Sequence, residues 1–163
     1  MYTVHATKKL LTRVKVPFAA TVETPTTSLG NWYATAMFWR PQVALFVNER
    51  TLLPVLVPLA PAAMLLERFA ESFQVMLESL GASPLFIAEE RWAMNEGSFA
   101  KTANRQVLGV MNRFEFELEY VRERYDALLQ LSLWQADTLA GPLRGGTRTP
   151  KEELTSLINQ RSS

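Results

Sequence analysis

Trp32-Tyr33-Ala34-Thr35-Ala36-Met37-Phe38-Trp39, then Arg40-Pro41, then Val43-Ala44-Leu45-Phe46-Val47, then Asn48-Glu49-Arg50, then the run Leu52 to Leu59: this stretch decides the fold. Three apolar, β-prone runs are separated by two short polar turns, the pattern of an antiparallel meander. Pro54 and Pro58 lack the N–H that a ladder requires, so the third run belongs at a sheet edge or near a bulge. Prolines there also guard that edge against wrong pairing.

Towards the C-terminus, Pro61 suits the first turn of a helix. Leu65, Leu66, Phe69, Phe73, Met76, Leu77 and Leu80 recur every three or four residues, and Gly81 follows them. The spacing predicts a helix over about 62–80 that packs on the meander through Leu66, Phe69, Phe73 and Leu77. Residues 85–94 read equally as strand or helix. Asn95-Glu96-Gly97-Ser98 reads as a break. A second long helical stripe follows, carried by Val107, Met111, Phe114, Leu118, Val121 and Tyr125, and a further apolar run spans Leu128 to Leu139.

Towards the N-terminus, residues 2–6 read as a short strand and Lys8 to Val14 as two helical turns. Residues 17–31 form a loop rich in Pro, Thr and Ser that ends at Gly30-Asn31. Loops of that length are commonly mobile or functional. The expected architecture is α+β: an antiparallel meander of three to five strands with two long helices on one face, forming a single domain over residues 1–140. Residues 141–163, which open with Gly, Arg, Thr and Pro and then offer a weak helix over Lys151 to Leu157, read as a mobile tail.

The composition narrows the chemistry. The 163 residues are 48% hydrophobic and 20% charged, which fits one folded core rather than a disordered chain. No stretch of about 18 apolar residues is free of charge, so no membrane span is expected. There is no cysteine, which removes disulfides, thiolate metal sites and a cysteine nucleophile. One histidine and two aspartates leave little for a metal cage, and neither metal nor cofactor is expected. The first residues carry no apolar signal-peptide core, so the expected compartment is the cytoplasm.

The net charge of +1 hides an asymmetry. Residues 1–50 hold six Lys/Arg against two Glu, and residues 51–100 hold two Arg against six Glu. A basic and an acidic region suit docking or self-association, although solvated faces also account for such a split. The balance is not that of a dedicated duplex binder. A protein partner or self-association is therefore the expected interaction, with nucleic acid as the alternative.

No phosphate-binding loop, nucleophile elbow or dinucleotide fingerprint is present. Glu89-Glu90 and Glu115, Glu117 and Glu119 read as solvated faces. His5, Glu49 and Arg105 are the candidates for acid–base chemistry. On the second long helix, Asn104, Arg105, Leu108, Gly109 and Asn112 share one side. A helical glycine costs about 1 kcal/mol relative to alanine, which suggests close approach of something at Gly109. Either Asn104, Arg105 and Asn112 satisfy the loop around residues 28–33, or Lys101 and Arg105 join Lys8 or Lys9 in an anion site.

The strings Thr7-Lys8-Lys9-Leu10-Leu11, Leu29-Gly30-Asn31-Trp32-Tyr33-Ala34, Leu45-Phe46-Val47-Asn48-Glu49-x-Thr51-Leu52 and Lys101-Thr102-x-Asn104-Arg105-x-Val107-Leu108-Gly109-x-Met111-Asn112 resemble, in that order, a bacterial family known only as a domain of unknown function. The resemblance covers about residues 1–120. It implies bacterial origin and one compact domain, and it implies no reaction. It draws Trp32, Tyr33, Asn48, Glu49, Asn104, Arg105 and Asn112 together as one possible cluster. The functional expectation is a small cytoplasmic binding or interaction protein, such as one component of a toxin–antitoxin pair. The alternative is a metal-independent RNA-processing enzyme or toxin using His5, Lys8, Glu49 and Arg105.

Overall fold

The computed structural model describes residues 1–162 and is α+β. Five strands form one sheet: β1 Tyr2–Ala6, β2 Trp32–Met37, β3 Val43–Asn48, β4 Pro54–Pro58 and β5 Gly97–Lys101. Among the described residues there are six α-helices: α1 Lys8–Val14, α2 Leu65–Ser79, α3 Pro84–Ala93, α4 Arg105–Val121, α5 Leu128–Ala136 and α6 Pro150–Ser162.

The expected meander is present. β2 pairs antiparallel with β3, Trp32 opposite Asn48, and β3 pairs antiparallel with β4, Leu45 opposite Leu56. The whole sheet, however, is mixed rather than antiparallel, with strand order β4-β3-β2-β1-β5. β1 runs parallel to β2, His5 opposite Tyr33, and β5 runs parallel to β1, Ala6 opposite Lys101. The helices also depart from the expected pair on one face. Every residue of β2 and β3 is buried, so both faces of the sheet need cover.

Alternation along β2 shows how the cover divides. Trp32, Ala34 and Ala36 point into one core with Phe69, Phe73, Met76 and Leu77 of α2, joined by Leu10 and Val14 of α1 and by Phe86 and Ile87 of α3. Tyr33 and Met37 point into the other, with Val107, Met111, Phe114 and Leu118 of α4. Phe69 stacks on Phe46 with ring centroids 4.0 Å apart, and Trp32 meets Phe69 and Phe73 edge-on.

Both sheet edges are closed. α5 is apolar on nearly all sides and serves both cores, Leu129 and Leu133 on one side and Leu131 and Trp134 on the other. Its Ser132 Oγ accepts the outward N–H of Leu56, which satisfies the β4 edge at 2.9 Å. At the opposite edge the long connection after α1 runs beside β5, where Ala19 N–H donates to the Phe99 carbonyl at 2.8 Å.

The ambiguous stretch 85–94 resolves as helix to Ala93, with Met94 at its end: Pro84 occupies the first turn and Ser83 Oγ accepts the Phe86 N–H. The region expected as a tail carries α6, opened by a reciprocal cap in which Thr149 N–H donates to Glu152 and Glu152 N–H donates to Thr149 Oγ1. Leu154 of α6 is buried in the α2-side core, and Leu143 is buried in the other. Ser163, the last residue of that expected tail, lies outside the described residues. None of the described helices is long and apolar enough to cross a membrane.

Candidate functional site

The Leu29-Gly30-Asn31 and Asn48-Glu49-Arg50-Thr51 strings meet, and they do so as a clamp. Asn48, fully buried at the end of β3, donates from Nδ2 to the carbonyls of Leu29 and Asn31. Its Oδ1 accepts from the N–H groups of Arg50 and Thr51 and from the Thr51 hydroxyl. Glu49 Oε1 accepts the Asn31 N–H at 2.8 Å, and Arg50 donates to the Ser28 carbonyl. Asn31 passes the connection on, its Oδ1 accepting the Thr3 N–H of β1. Gly30 sits at φ +77, and a Cβ there would fall 2.5 Å from Glu49 Oε1, so glycine is required.

Glu90 completes the clamp and corrects an expectation. It is 2% exposed, not solvated, and accepts the successive N–H groups of Ser28 and Leu29. The signal lay in the spacing, because Glu90 continues the buried stripe of Phe86, Ile87 and Met94 on α3. Asn48, Glu49 and Trp32 are thus engaged in holding the loop and the core together.

His5 and Tyr33 form the second group. The rings stack with centroids 4.8 Å apart. His5 Nδ1–H donates to the Lys101 carbonyl at 2.8 Å. The Tyr33 hydroxyl accepts the Asn104 N–H at the start of α4. Burial is the main cause raising the Tyr33 pKa; the Asn104 N–H opposes it, and the nearby Glu49 carboxylate adds to it.

Asn104 meets the Gly30–Tyr33 segment through its main-chain N–H on the Tyr33 hydroxyl, but among the described residues no side-chain hydrogen bond joins Asn104, Arg105 or Asn112 to it, and the clamp holds the 28–31 loop instead. Asn104 caps its own helix, its Oδ1 accepting from Gln106 and Val107. Arg105, Gly109 and Asn112 are exposed on the outer face of α4, and a Cβ on Gly109 would meet nothing within 4 Å. Close approach from within the fold is therefore not the reason for that glycine. The same outer face continues through Phe116 and Tyr120, 64% and 73% exposed, whose rings pack edge-to-face with centroids 5.1 Å apart.

The lysines separate. Lys9 pairs with Glu115 of α4 at 3.2 Å and its ammonium lies over the Phe38 ring. Lys8 and Lys101 line one open cleft, and His5, Glu49 and Arg105 stand outside its lining. Glu117 is likewise engaged, with Arg113 and Gln135, and Glu119 with Trp39 and Arg122. Among the described residues no three His, Asp or Glu side chains gather in a way that could hold a metal ion.

A two-faced mixed sheet of this kind, with its motif residues spent on a buried clamp and its exposed ones on one helix, defines a small α+β domain. The chain belongs to the family described as domain of unknown function (DUF6933), whose model matches residues 3–153. The match runs well past residue 120 and takes in the start of α6. No curated protein matches the chain in sequence.

Proposed function

We propose that this chain is a small bacterial cytoplasmic interaction protein whose α4 outer face docks a second copy of itself. The carrying observation is that stripe of α4. Arg105, Gly109, Asn112, Phe116, Glu119 and Tyr120 are all exposed on the side opposite the buried Val107, Phe114, Leu118 and Val121. The stripe is self-complementary when two helices run antiparallel. A two-fold axis between Asn112 and Arg113 sets Gly109 of one copy opposite Phe116 of the other, a ring facing a place without a side chain. The same axis sets Arg105 opposite Tyr120, a cation over an aromatic face, with Glu119 beside it. Among the described residues no side chain pairs with Arg105, so its charge is available for that contact.

The finer expectation, one component of a toxin–antitoxin type pair, rests on this reading together with the basic and acidic halves of the sequence. The alternative, metal-independent RNA cleavage, draws support from the free Nε2 of His5. It is the weaker reading because Lys8 lines a cleft apart from the other three groups and Glu49 is held by Asn31.

Sedimentation across a concentration series tests the proposal. Wild type forms a dimer that Phe116→Glu converts to monomer with an unchanged melt. A wild type that stays monomeric, or a Phe116→Glu dimer as tight as wild type, overturns it. RNA cleavage by wild type that is lost in His5→Ala favours the alternative.

A further inference from the structure

β1 and β5 lie side by side and parallel, ending at Ala6 and Lys101. From β1 the chain enters α1, whose Leu10 and Val14 go into the core on the α2 side. From β5 it enters α4, which covers the opposite face. Adjacent parallel strands whose following helices diverge to opposite faces leave a crevice outside their carboxyl ends, the place where open α/β sheets commonly take ligands. Here an open cleft of about 630 Å³ lies at those strand ends on the α1 side, bounded by Ala6, Lys101 and Thr102, by α1 and by residues 16 and 18, within the size range of small-molecule sites.

Its lining has one chemistry. Leu11, Val16 and Phe18 supply apolar wall, and Lys8 and Lys101 stand at the rim, with Thr12 and Thr102 beside them. No aspartate or glutamate lines it, and among the described residues neither lysine is paired with a carboxylate. The Lys101 ammonium lies 5.1 Å from the Phe18 ring centroid, so a positive charge is held against the apolar wall. Thr12 gives its hydroxyl proton to the Lys8 carbonyl, whereas the Thr102 hydroxyl makes no hydrogen bond among the described residues. Two unpaired ammonium groups, a free hydroxyl and an apolar wall fit an anion that carries a hydrocarbon body.

We propose that this crevice binds a small organic carboxylate with an apolar body, its carboxylate between Lys8 and Lys101 and its body on Leu11, Val16 and Phe18. Lysine acts as a point charge and suits a single carboxylate, whereas planar bidentate recognition of phosphate favours arginine, which is absent from the lining. The site is separate from the outer face of α4, and the proposal stands or falls independently of self-association.

Amide chemical shifts of labelled full-length protein provide the test, with hexanoate, benzoate, hexan-1-ol and inorganic phosphate as probes. Hexanoate or benzoate shifts amides of residues 8–16, 18 and 101–102 saturably, while hexan-1-ol and phosphate bind at least roughly tenfold more weakly, as expected if charge and hydrocarbon are both needed. Lys8→Ala and Lys101→Ala each weaken binding while leaving the melt unchanged, and Lys151→Ala on α6 leaves binding at the wild-type value. No saturable shift with either carboxylate overturns the proposal. So does undiminished binding in the Lys8→Ala/Lys101→Ala double variant, and so does phosphate binding as tight as that of the carboxylates.

Discussion

Glu90 on α3 accepts the main-chain N–H of Leu29 at 3.0 Å across 61 positions of sequence, and its other oxygen takes the Ser28 N–H at 2.7 Å. One buried carboxylate thereby fixes the end of the longest connection in the domain. Replacing Glu90 with Ala leaves two main-chain donors without partners in a site that is 2% exposed. The expected loss is about 2–6 kcal/mol in chemical denaturation, since each orphaned buried donor costs about 1–3 kcal/mol. Glu90→Gln retains an acceptor and loses less. A Glu90→Ala protein as stable as wild type contradicts this role.

Asn48 allows a sharper chemical test, because it donates and accepts at once. In Asn48→Asp the two donors to the Leu29 and Asn31 carbonyls are replaced by a second oxygen aimed at oxygens. The acceptor contacts to Arg50 and Thr51 survive. The variant is therefore less stable by about 2–4 kcal/mol although its volume is unchanged, the cost of a buried polar group facing the wrong partner. Denaturation midpoints equal to wild type would mean that the donor half of the clamp is idle.

Much of the sheet was legible because its central strands are self-announcing. The β2–β4 runs are continuous, β-branched or aromatic, and joined by short turns, so local pattern suffices. β5 was not legible. Gly97-Ser98-Phe99-Ala100-Lys101 has only Phe99 and Ala100 buried, and it forms by parallel pairing with β1 some 95 residues away, which no local period reports. The end of the chain shows the same limit: Gly145 and Gly146 mark an irregular turn, the weak helix expected over 151–157 lies within α6, and Leu154 is placed by the core it joins, which no local period reports. Of the site residues, Asn48 and Glu49 are expected in a cluster with Trp32, Tyr33, Asn104, Arg105 and Asn112; in the structure they hold the main chain at Leu29 and Asn31, and residue type alone does not tell a clamp from a ligand site. Arg105 and Asn112 were placed on one helix side, and only the packing of α4 shows that this side faces outward.

Phe73→Ala removes a ring that is fully buried beneath Trp32 and beside Phe69. Truncation of a buried aromatic ring costs about 3–5 kcal/mol, so the melting transition drops steeply or is lost. A melt within a degree or so of wild type would place the α2–sheet contact elsewhere.

Alkaline pH acts through Tyr2 and Tyr33. Burial raises the pKa of both above the ordinary tyrosine value, with Arg91 opposing it at Tyr2 and the Asn104 N–H at Tyr33. The folded state therefore holds these protons more tightly than the unfolded chain, where tyrosine ionises at about 10. Their contribution is complete below that pH and is lost as pH rises from it through the folded values. Stability measured by denaturant should fall above pH about 10. The Tyr2→Phe/Tyr33→Phe double variant should show a shallower fall and lose the late phenolate absorbance step. A double variant with the wild-type slope would remove both residues from the alkaline transition.

Gly109→Ala separates the fold from its outer face. Inside α4 the glycine has ordinary helical surroundings, and a Cβ there meets nothing within 4 Å, so alanine creates no clash in the isolated chain. Alanine is favoured over glycine in a helix by about 0.8–1.0 kcal/mol, so the monomer becomes more stable and its denaturation midpoint rises. In the antiparallel pairing proposed for α4, the same methyl stands where the Phe116 ring of the other copy must lie, so self-association weakens while stability increases. Arg105→Ala behaves differently: the side chain is exposed, so stability is unchanged, and only the association constant falls. These opposite signs are informative, because a residue kept for the fold alone cannot lose association while gaining stability. Denaturation measured below the dimer's dissociation constant, paired with sedimentation above it, reads the two effects apart. A Gly109→Ala protein that gains stability and associates as tightly as wild type would exclude Gly109 from the docking face.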